Sequence, residues 1–287
     1  MTVPRLQGQA PGFHRMLLGD FVLTALSDGT VSGVDQKLRG IDRTRVEQLL
    51  ADACVPRPVE TSINAFLIHT GARLVLVDTG AGKRMGPSAG RLLPHLRAAG
   101  YEPEQIDTVL LTHLHTDHAG GLSDEGLRVF PNATVRVDQL DADFWLSPAQ
   151  QKTRSQWARD ALEPYIAAGR FQTFEGDTEL LPGIRSQAAR GHTPGHSFYA
   201  VESQGQRLVI WGDLVHVEAV QLVEPSATVE FDRDPRAAAT RRAKAFAEAA
   251  SKGFWVAAEH ISFPGIGHLR AQDEGYRWCP LPYSLCE

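Results

Sequence analysis

The stretch HLHTDH, residues 113–118, places three histidines and an aspartate within six positions. It comes after the apolar run TVLL and shortly before two glycines, so it should lie where a buried strand gives way to a loop. Burying four polar side chains is costly unless a bound group compensates for the lost hydration. Imidazole and carboxylate side chains are ligands of zinc and related transition metals. The predicted ligands in this stretch are His113, His115, Asp117 and His118.

Three more candidate ligands stand after apolar runs or in a glycine–proline turn. They are His192 in GHTPGH, Asp213 in VIWGD and His260 in VAAEH. Side chains two positions apart on an extended chain point the same way, so the first two histidines of HLHTDH can share one ion with His192. The last two residues of that stretch lie beyond the turn and face a second position, which His260 completes. Asp213 has two carboxylate oxygens and is predicted to bridge both ions.

A pair of metal ions would make this cluster a hydrolytic site. Two ions about 3.5–4 Å apart can hold a hydroxide between them and polarise a carbonyl or phosphoryl oxygen during its attack. Zinc lowers the pKa of bound water to about 7, so the hydroxide is available at neutral pH. The predicted cofactor is two Zn²⁺ per chain, with manganese, iron or cobalt left open. Asp117 and Asp213 are the predicted catalytic carboxylates.

These side chains need a scaffold whose strand ends meet. Strand-like and helical patterns alternate without a low-complexity linker, which predicts a single α/β domain over residues 1–287. The run NAFLIHTGARLVLVDTG (64–80) predicts a hairpin, and two further strands are predicted to end at His113 and at His260. Helices are predicted over 43–53, 90–101, 139–147, 154–169 and 235–251. Residues 1–12 are predicted to be a flexible N-terminal segment.

Composition limits the partners and the compartment. The chain has a net charge of −5 and no basic run typical of nucleic-acid binding, so neither a nucleic acid nor a membrane is predicted as a partner. Cys54, Cys279 and Cys286 are too few and too scattered for a disulfide framework or a cysteine-type zinc site. The first residues lack the apolar stretch of a signal sequence, which predicts a cytoplasmic protein, or a periplasmic or secreted one if a signal peptide has been removed.

The spacing of the ligands resembles a known family. HxHxDH at residues 113–118, with the downstream His192, Asp213 and His260, is similar to the metallo-β-lactamase superfamily. The resemblance implies a four-layer αββα sandwich with the metals at one edge of its two sheets. It also implies that Asp78, in LVDTG, supports the ligands through hydrogen bonds.

A finer resemblance extends from about residue 12 to about residue 284. The stretches RMLLGDFVLTALSDGT, GHTPGH and SFPGIGH resemble methyl parathion hydrolase and its lactonase relatives, which are dinuclear zinc hydrolases. This resemblance implies a homodimer that acts on a small-molecule ester, lactone or phosphotriester.

The same resemblance outlines a substrate pocket. Trp145 matches an aromatic residue of the leaving-group pocket, Met85 stands where a phenylalanine forms the wall, and His216 replaces a leucine. Trp157 and Phe231 are further apolar candidates for this pocket. A histidine can donate a hydrogen bond to a lactone carbonyl oxygen, so His216 is a predicted catalytic residue as well as a pocket residue.

Several functions stay open at this point. The leading prediction is a hydrolase of lactones or activated aryl esters, with organophosphates as side substrates. The alternatives are an organophosphate triesterase, a thioester hydrolase of the glyoxalase II type and a non-catalytic metal-binding protein. No basic C-terminal cluster for glutathione is present, which disfavours the thioesterase, and the negative charge disfavours a nuclease. His196 is predicted to support its loop and His268 to support the ligands, rather than to bind metal.

Overall fold

The structure, a computed structural model, describes residues 8–147 and 156–286. Residues 1–7 of the predicted flexible segment and residues 154 and 155 of the helix predicted over 154–169 lie outside the described residues.

In chain order the strands are β1 (Phe13–Leu18), β2 (Phe21–Ser32), β3 (Leu38–Arg39), β4 (Glu60–His69), β5 (Leu74–Val77), β6 (Thr108–Leu110), β7 (Ser123–Asp124), β8 (Leu127–Arg128), β9 (Thr134–Asp138), β10 (Phe171–Phe174), β11 (Glu179–Leu181), β12 (Ile184–Ala188), β13 (Ser197–Ser203), β14 (Gln206–Ile210), β15 (Thr228–Val229), β16 (Trp255–Ala257), β17 (Ile266–Ala271) and β18 (Tyr276–Pro280). The helices are α1 (Arg43–Asp52), α2 (Leu92–Ala98), α3 (Thr116–Ala119), α4 (Gln139–Leu146), α5 (Gln156–Ala167), α6 (Glu218–Gln221) and α7 (Pro235–Lys252). No helix in the described ranges is both long and apolar enough to cross a membrane.

Within the described residues, most strands belong to two seven-stranded sheets. The first has the order β1-β2-β4-β5-β6-β9-β10 and the second the order β11-β12-β13-β14-β16-β17-β18. Two parallel pairs matter for the site, because parallel strands end at the same edge of a sheet. In the first sheet Val77 of β5 aligns with Leu110 of β6, and in the second Ile210 of β14 aligns with Ala257 of β16. Asp213 and His260 each follow their strand by three residues, so this register brings them together.

Neighbouring side chains along a strand point to opposite faces of its sheet, and this alternation builds four layers. In β4, Ala65 and Leu67 pack with α2, α4 and α5 on the outer face of the first sheet. Their neighbours Phe66 and Ile68 point the other way and pack against the second sheet. On the far side of the second sheet, Phe246 and other residues of α7 cover the strands. Both faces of each sheet are therefore buried, and the predicted αββα sandwich is confirmed.

Two strands end earlier than predicted. β6 ends at Leu110 and β16 at Ala257, so His113 and His260 both lie in loops rather than at a strand end. Beyond β6 the backbone N–H of Thr112 donates to the carboxylate of Asp78 at 2.8 Å. The strand ladder ends there because a side chain takes the donor that a neighbouring strand would otherwise use.

Candidate metal centre

The predicted ligands converge at the edge where β5, β6, β14 and β16 end. One group comprises His113, His115, His192 and Asp213, and a second comprises Asp117, His118 and His260. Within each group the potential ligand atoms all lie within 4.8 Å of one another. The two groups are those expected from the spacing of the sequence.

Asp213 connects the two groups. Its Oδ1 lies 2.9 Å from Nε2 of His118 and 3.0 Å from Nε2 of His260. Its Oδ2 lies 3.0 Å from Nε2 of His192 and 3.6 Å from Nε2 of His113. Each carboxylate oxygen therefore faces a different group, which is the arrangement of a carboxylate that bridges two cations.

Several of these atoms lack the partners that buried polar groups require. Nε2 of His113, Nε2 of His118 and Oδ1 of Asp213 are buried and have no hydrogen-bond partner among the described residues. The short approach of His118 to Asp213 lacks hydrogen-bond geometry, so the two atoms face a common space rather than each other. A cation between His118 and Oδ1 of Asp213, and a second cation beside Nε2 of His113, would satisfy these atoms, and the nitrogen and oxygen donors suit a transition metal. The residues thus fit a dinuclear metal centre.

In His118, His192 and His260, the ring nitrogen that points away from the cluster has a hydrogen-bond partner of its own. Nδ1 of His118 lies 2.8 Å from Oδ2 of Asp78, and Nδ1 of His192 lies 2.8 Å from Oδ1 of Asp232. Nδ1 of His260 lies 2.8 Å from the carbonyl oxygen of Ser62. Such partners fix the tautomer and the orientation of a ligating imidazole, so that Nε2 faces the centre.

Asp78 has the supporting role that the resemblance implied. Its carboxylate also accepts hydrogen bonds from the backbone N–H and the hydroxyl of Thr112, each at 2.8 Å. Its φ of +61° is unusual for a residue other than glycine and turns the carboxylate back toward the end of β6. Asp232, by contrast, was not identified from the sequence, because it lies 40 residues from His192 and no local pattern marks it.

His196 uses both ring nitrogens to join its own loop to the backbone of Asp213. Its Nδ1 lies 2.9 Å from the carbonyl oxygen of Ala189, and its Nε2 accepts the backbone N–H of Asp213 at 3.0 Å. Gly212 is required beside it, since its φ is +57° and a Cβ there would lie 2.3 Å from Nε2 of His196. The imidazole therefore sets the position of the Asp213 backbone.

The prediction that His268 supports the ligands is wrong. Its ring stacks on that of Trp255, with centroids 3.7 Å apart, and its Nδ1 lies 3.1 Å from the carbonyl oxygen of Phe254. The reason is the antiparallel return of β17 along β16, in which Gly267 already pairs with Val256. His268 is therefore carried back along the sheet, away from the edge that holds the cluster.

Burial and charge prepare the ligands differently. Burial lowers the pKa of His113 well below its usual value and that of His115 to about 3, so both imidazoles are neutral, as ligation requires. Burial alone would raise the pKa of Asp213, but the surrounding histidines, His118 first, lower it well below the usual range. The carboxylate of Asp213 is therefore charged at neutral pH.

A cavity of about 340 Å³ opens above the cluster and is lined by every predicted pocket residue. Those residues are Met85, Trp145, Trp157, His216 and Phe231. The ring of Trp145 lies edge-on to His115 at 5.4 Å and to Trp157 at 5.8 Å. Val31, Val34, Thr61, Arg84 and Thr116 also line the cavity and were not anticipated. A larger neighbouring cavity of about 480 Å³ contains none of the candidate ligands.

His216 lies closer to the cluster than a pocket wall residue need be. Its Nε2 is 3.1 Å from Oδ2 of Asp213, and its backbone N–H donates to Oε1 of Gln221 at 2.7 Å. With Asp213 and His260 it forms a third group whose ligand atoms lie within 4.8 Å. His216 therefore lines the cavity and also contacts the carboxylate of Asp213.

Known proteins share this sequence pattern and this fold. The profile of the metallo-beta-lactamase superfamily matches residues 58–258. An N-acyl homoserine lactonase of Bacillus thuringiensis is 25% identical over 158 residues, which are 48% of this chain and 58% of the lactonase. The chain thus matches little more than half the length of that relative.

Two solved structures resemble the whole chain more fully. A hydrolase of the beta lactamase superfamily, AbOPH, is 38% identical, with a TM-score of 0.92 over 96% of this chain and 100% of that one. AidC, a dizinc quorum-quenching lactonase solved with a hexanoyl-homoserine product, is 24% identical, with a TM-score of 0.87 over 96% and 99% of the two chains. At that identity the likeness to AidC supports the fold alone. From the match over residues 58–258 and the likeness to AbOPH, the chain belongs to the metallo-beta-lactamase superfamily.

Proposed function

We propose that this chain is a dinuclear metal-dependent hydrolase that cleaves lactones or activated aryl esters. The observation that carries the proposal is Asp213, whose two carboxylate oxygens each face one of the two histidine groups. Two ions held there would supply Lewis acidity and a hydroxide nucleophile at neutral pH. Zinc is the simplest choice for these donors, with manganese, iron and cobalt as alternatives.

The proposed ligand set has a role for each residue of the cluster. His113, His115 and His192 would hold the first ion, Asp117, His118 and His260 would hold the second, and Asp213 would bridge them. Asp78 and Asp232 accept hydrogen bonds from the outer nitrogens of His118 and His192, and so keep their inner nitrogens aimed at the ions.

The cavity and His216 would bind and orient the substrate. The aromatic and aliphatic walls suit the acyl chain or aryl ring of an ester, which they would shield from water. Nε2 of His216 lies 3.1 Å from Oδ2 of Asp213, and the carbonyl oxygen of an ester bound at the cluster would lie near this nitrogen. His216 would then donate a hydrogen bond as negative charge develops on that oxygen.

A phosphotriester is the second candidate substrate. The apolar cavity would accept an aryl phosphotriester, but the polar side chain of His216 beside the cluster favours a carbonyl substrate. The likeness to N-acyl homoserine lactonases supports the same order. The finer resemblance to methyl parathion hydrolase, and the homodimer that it implies, stay predictions.

Metal analysis together with a substrate panel tests this proposal. We expect the metal-loaded protein to retain two ions per chain, to lose activity to a chelator and to regain it with Zn²⁺. Among dihydrocoumarin, 4-nitrophenyl acetate and paraoxon, kcat/KM should be highest for the lactone or the aryl ester. One ion per chain with full activity would contradict the dinuclear centre, and paraoxon as the best substrate would contradict the substrate class.

A further inference from the structure

A single positive side chain borders the site cavity, as far as the described residues show. The lining contains valines, aromatic residues and four residues of the ligand cluster, and Arg84 is its only lysine or arginine. Arg84 is exposed, and no carboxylate oxygen of the described residues lies within 4.0 Å of its guanidinium. The guanidinium is therefore available to a ligand in the cavity.

Lys83, the residue before Arg84, has a different environment. Lys83 is also exposed, but its Nζ lies 2.6 Å from Oδ2 of Asp124. Lys83 lines only the larger adjacent cavity, whereas Arg84 borders both cavities. Of these two consecutive cations, Lys83 pairs with a carboxylate of the chain, whereas Arg84 borders the proposed substrate site and has no such partner among the described residues.

The segment that carries Arg84 is held at both ends by a buried carboxylate. Asp28 accepts hydrogen bonds from the backbone N–H groups of Ala81 at 2.8 Å, Gly90 at 3.0 Å and Leu92 at 3.0 Å. Between these points, the carbonyl oxygen of Ser88 accepts the backbone N–H of Thr30 at 3.0 Å. The segment 81–92 is thus anchored against β2, which keeps the backbone of Arg84 at the rim of the cavity.

We infer that Arg84 is a specificity-determining residue that favours esters or lactones with a carboxylate at the end remote from the bond that is cleaved. The inference rests on the proposed function and names the substrate class within it. A guanidinium binds a carboxylate through two parallel hydrogen bonds, which a lysine cannot reproduce. The aromatic walls would hold the body of the substrate while its reacting carbonyl lies at the ligand cluster and its carboxylate at Arg84.

The test compares two aryl esters that differ in charge. 4-Acetoxybenzoate and its methyl ester have the same acyl group and the same ring, and only the first is anionic. Because the two esters also differ in intrinsic reactivity, the quantity to follow is the ratio of their kcat/KM values in each variant relative to the parent. We expect Arg84→Gln to lower the anionic-to-neutral ratio about fivefold, as for an exposed ion pair, and mainly through KM. Arg84→Lys should lie between the parent and Arg84→Gln, because it keeps the charge but loses the planar fork.

Lys83→Gln is the matched control. It removes the adjacent cation, which is exposed and lies on the same segment, and should leave the ratio at its parental value because Asp124 already neutralises Lys83. Added salt should reduce the parental preference toward that of Arg84→Gln, since exposed charges are screened. Inhibition by 4-acetylbenzoate, which is not hydrolysed, gives a readout of binding alone and should weaken in Arg84→Gln.

The outcomes separate the two proposals. If the metal-loaded parent hydrolyses neither ester, the proposed function is contradicted. If it hydrolyses both and Arg84→Gln leaves the ratio and the inhibition constant unchanged, only the role of Arg84 is contradicted. An equal fall of the ratio in Lys83→Gln would assign the effect to the charge of the whole segment and would likewise overturn the inference.

Discussion

The ligand cluster and the cavity wall differ in how firmly their side chains are held. In the cluster, the outer nitrogens of His118, His192 and His260 each have a partner at 2.8 Å, and these histidines are buried. In the wall, Phe231 is 43% exposed, and Met85 lies in the segment between β5 and α2 rather than on a strand. The side chains of the cluster are therefore held by hydrogen bonds as well as by burial, whereas these two residues of the wall are held less firmly.

This difference has an energetic basis. Removing one partner within the cluster leaves a buried polar group unsatisfied, which costs about 1–3 kcal/mol and more for charged groups. Changing a half-exposed wall residue removes apolar contact and leaves no unpaired polar atom. Substitutions within the cluster should therefore be poorly tolerated, whereas single substitutions in the wall can change the preferred substrate.

The largest effect is expected for Asp213→Asn. The change keeps the shape of the side chain but removes the negative charge that faces both histidine groups. Turnover should fall at least ~10²-fold if the hydroxide depends on both ions. Steady-state rates and metal content of the loaded variant provide the measurement. Asp234→Asn, at the start of α7 and outside the cluster, is the control. Near-parental rates would show that Asp213 is not the bridge.

A smaller effect is expected for Asp232→Asn. The substitution removes the carboxylate that lies 2.8 Å from Nδ1 of His192 and orients this imidazole. Loss of such a partner typically lowers metal affinity about 10- to 100-fold, and we expect the lower end because the other histidines keep theirs. Competition with a chromophoric chelator measures the affinity.

Asp35→Asn is the matched control for that experiment. Asp35 is also fully buried, but its carboxylate contacts Arg57 and the backbone of Val59, outside the cluster. It should lower the free energy of unfolding while it leaves metal affinity at the parental value. Equal affinities of parent and Asp232→Asn would mean that His192 is oriented without Asp232.

The smallest effect is expected for His216→Leu, because His216 lies between the ligand cluster and the cavity wall. His216→Leu removes a hydrogen-bond donor beside Asp213 and leaves an apolar surface. Turnover of a lactone or aryl ester should fall about fivefold relative to that of a phosphotriester, well below the loss for an isolated oxyanion donor, because the metals share the task. Phe231→Leu, in the same cavity, controls for the change of shape and should alter both rates in parallel. If His216→Leu also alters them in parallel, His216 does not determine specificity.

Local sequence was sufficient to single out the residues that converge in the cluster, because their stretches follow an apolar run or form a glycine–proline turn. A polar residue in such a place is costly unless it is bound, and the HxHxDH spacing adds a pattern that is rarely met by chance. The αββα layers were predictable from the same motif. The physical basis of these layers is visible in β4, where the neighbouring apolar residues Phe66 and Leu67 pack into two different cores.

The grouping of these residues was expected from the sequence, but the contacts that bring them together depend on the tertiary structure. The parallel register of β14 and β16 brings Asp213 beside His260, and the pairing of β17 with β16 carries His268 away. The contact of Asp232 with His192 and the place of Arg84 at the cavity depend in the same way on how separate segments pack. A local pattern records where a strand ends and which residues come next, whereas the register of pairing and the packing of loops depend on residues far apart in the chain.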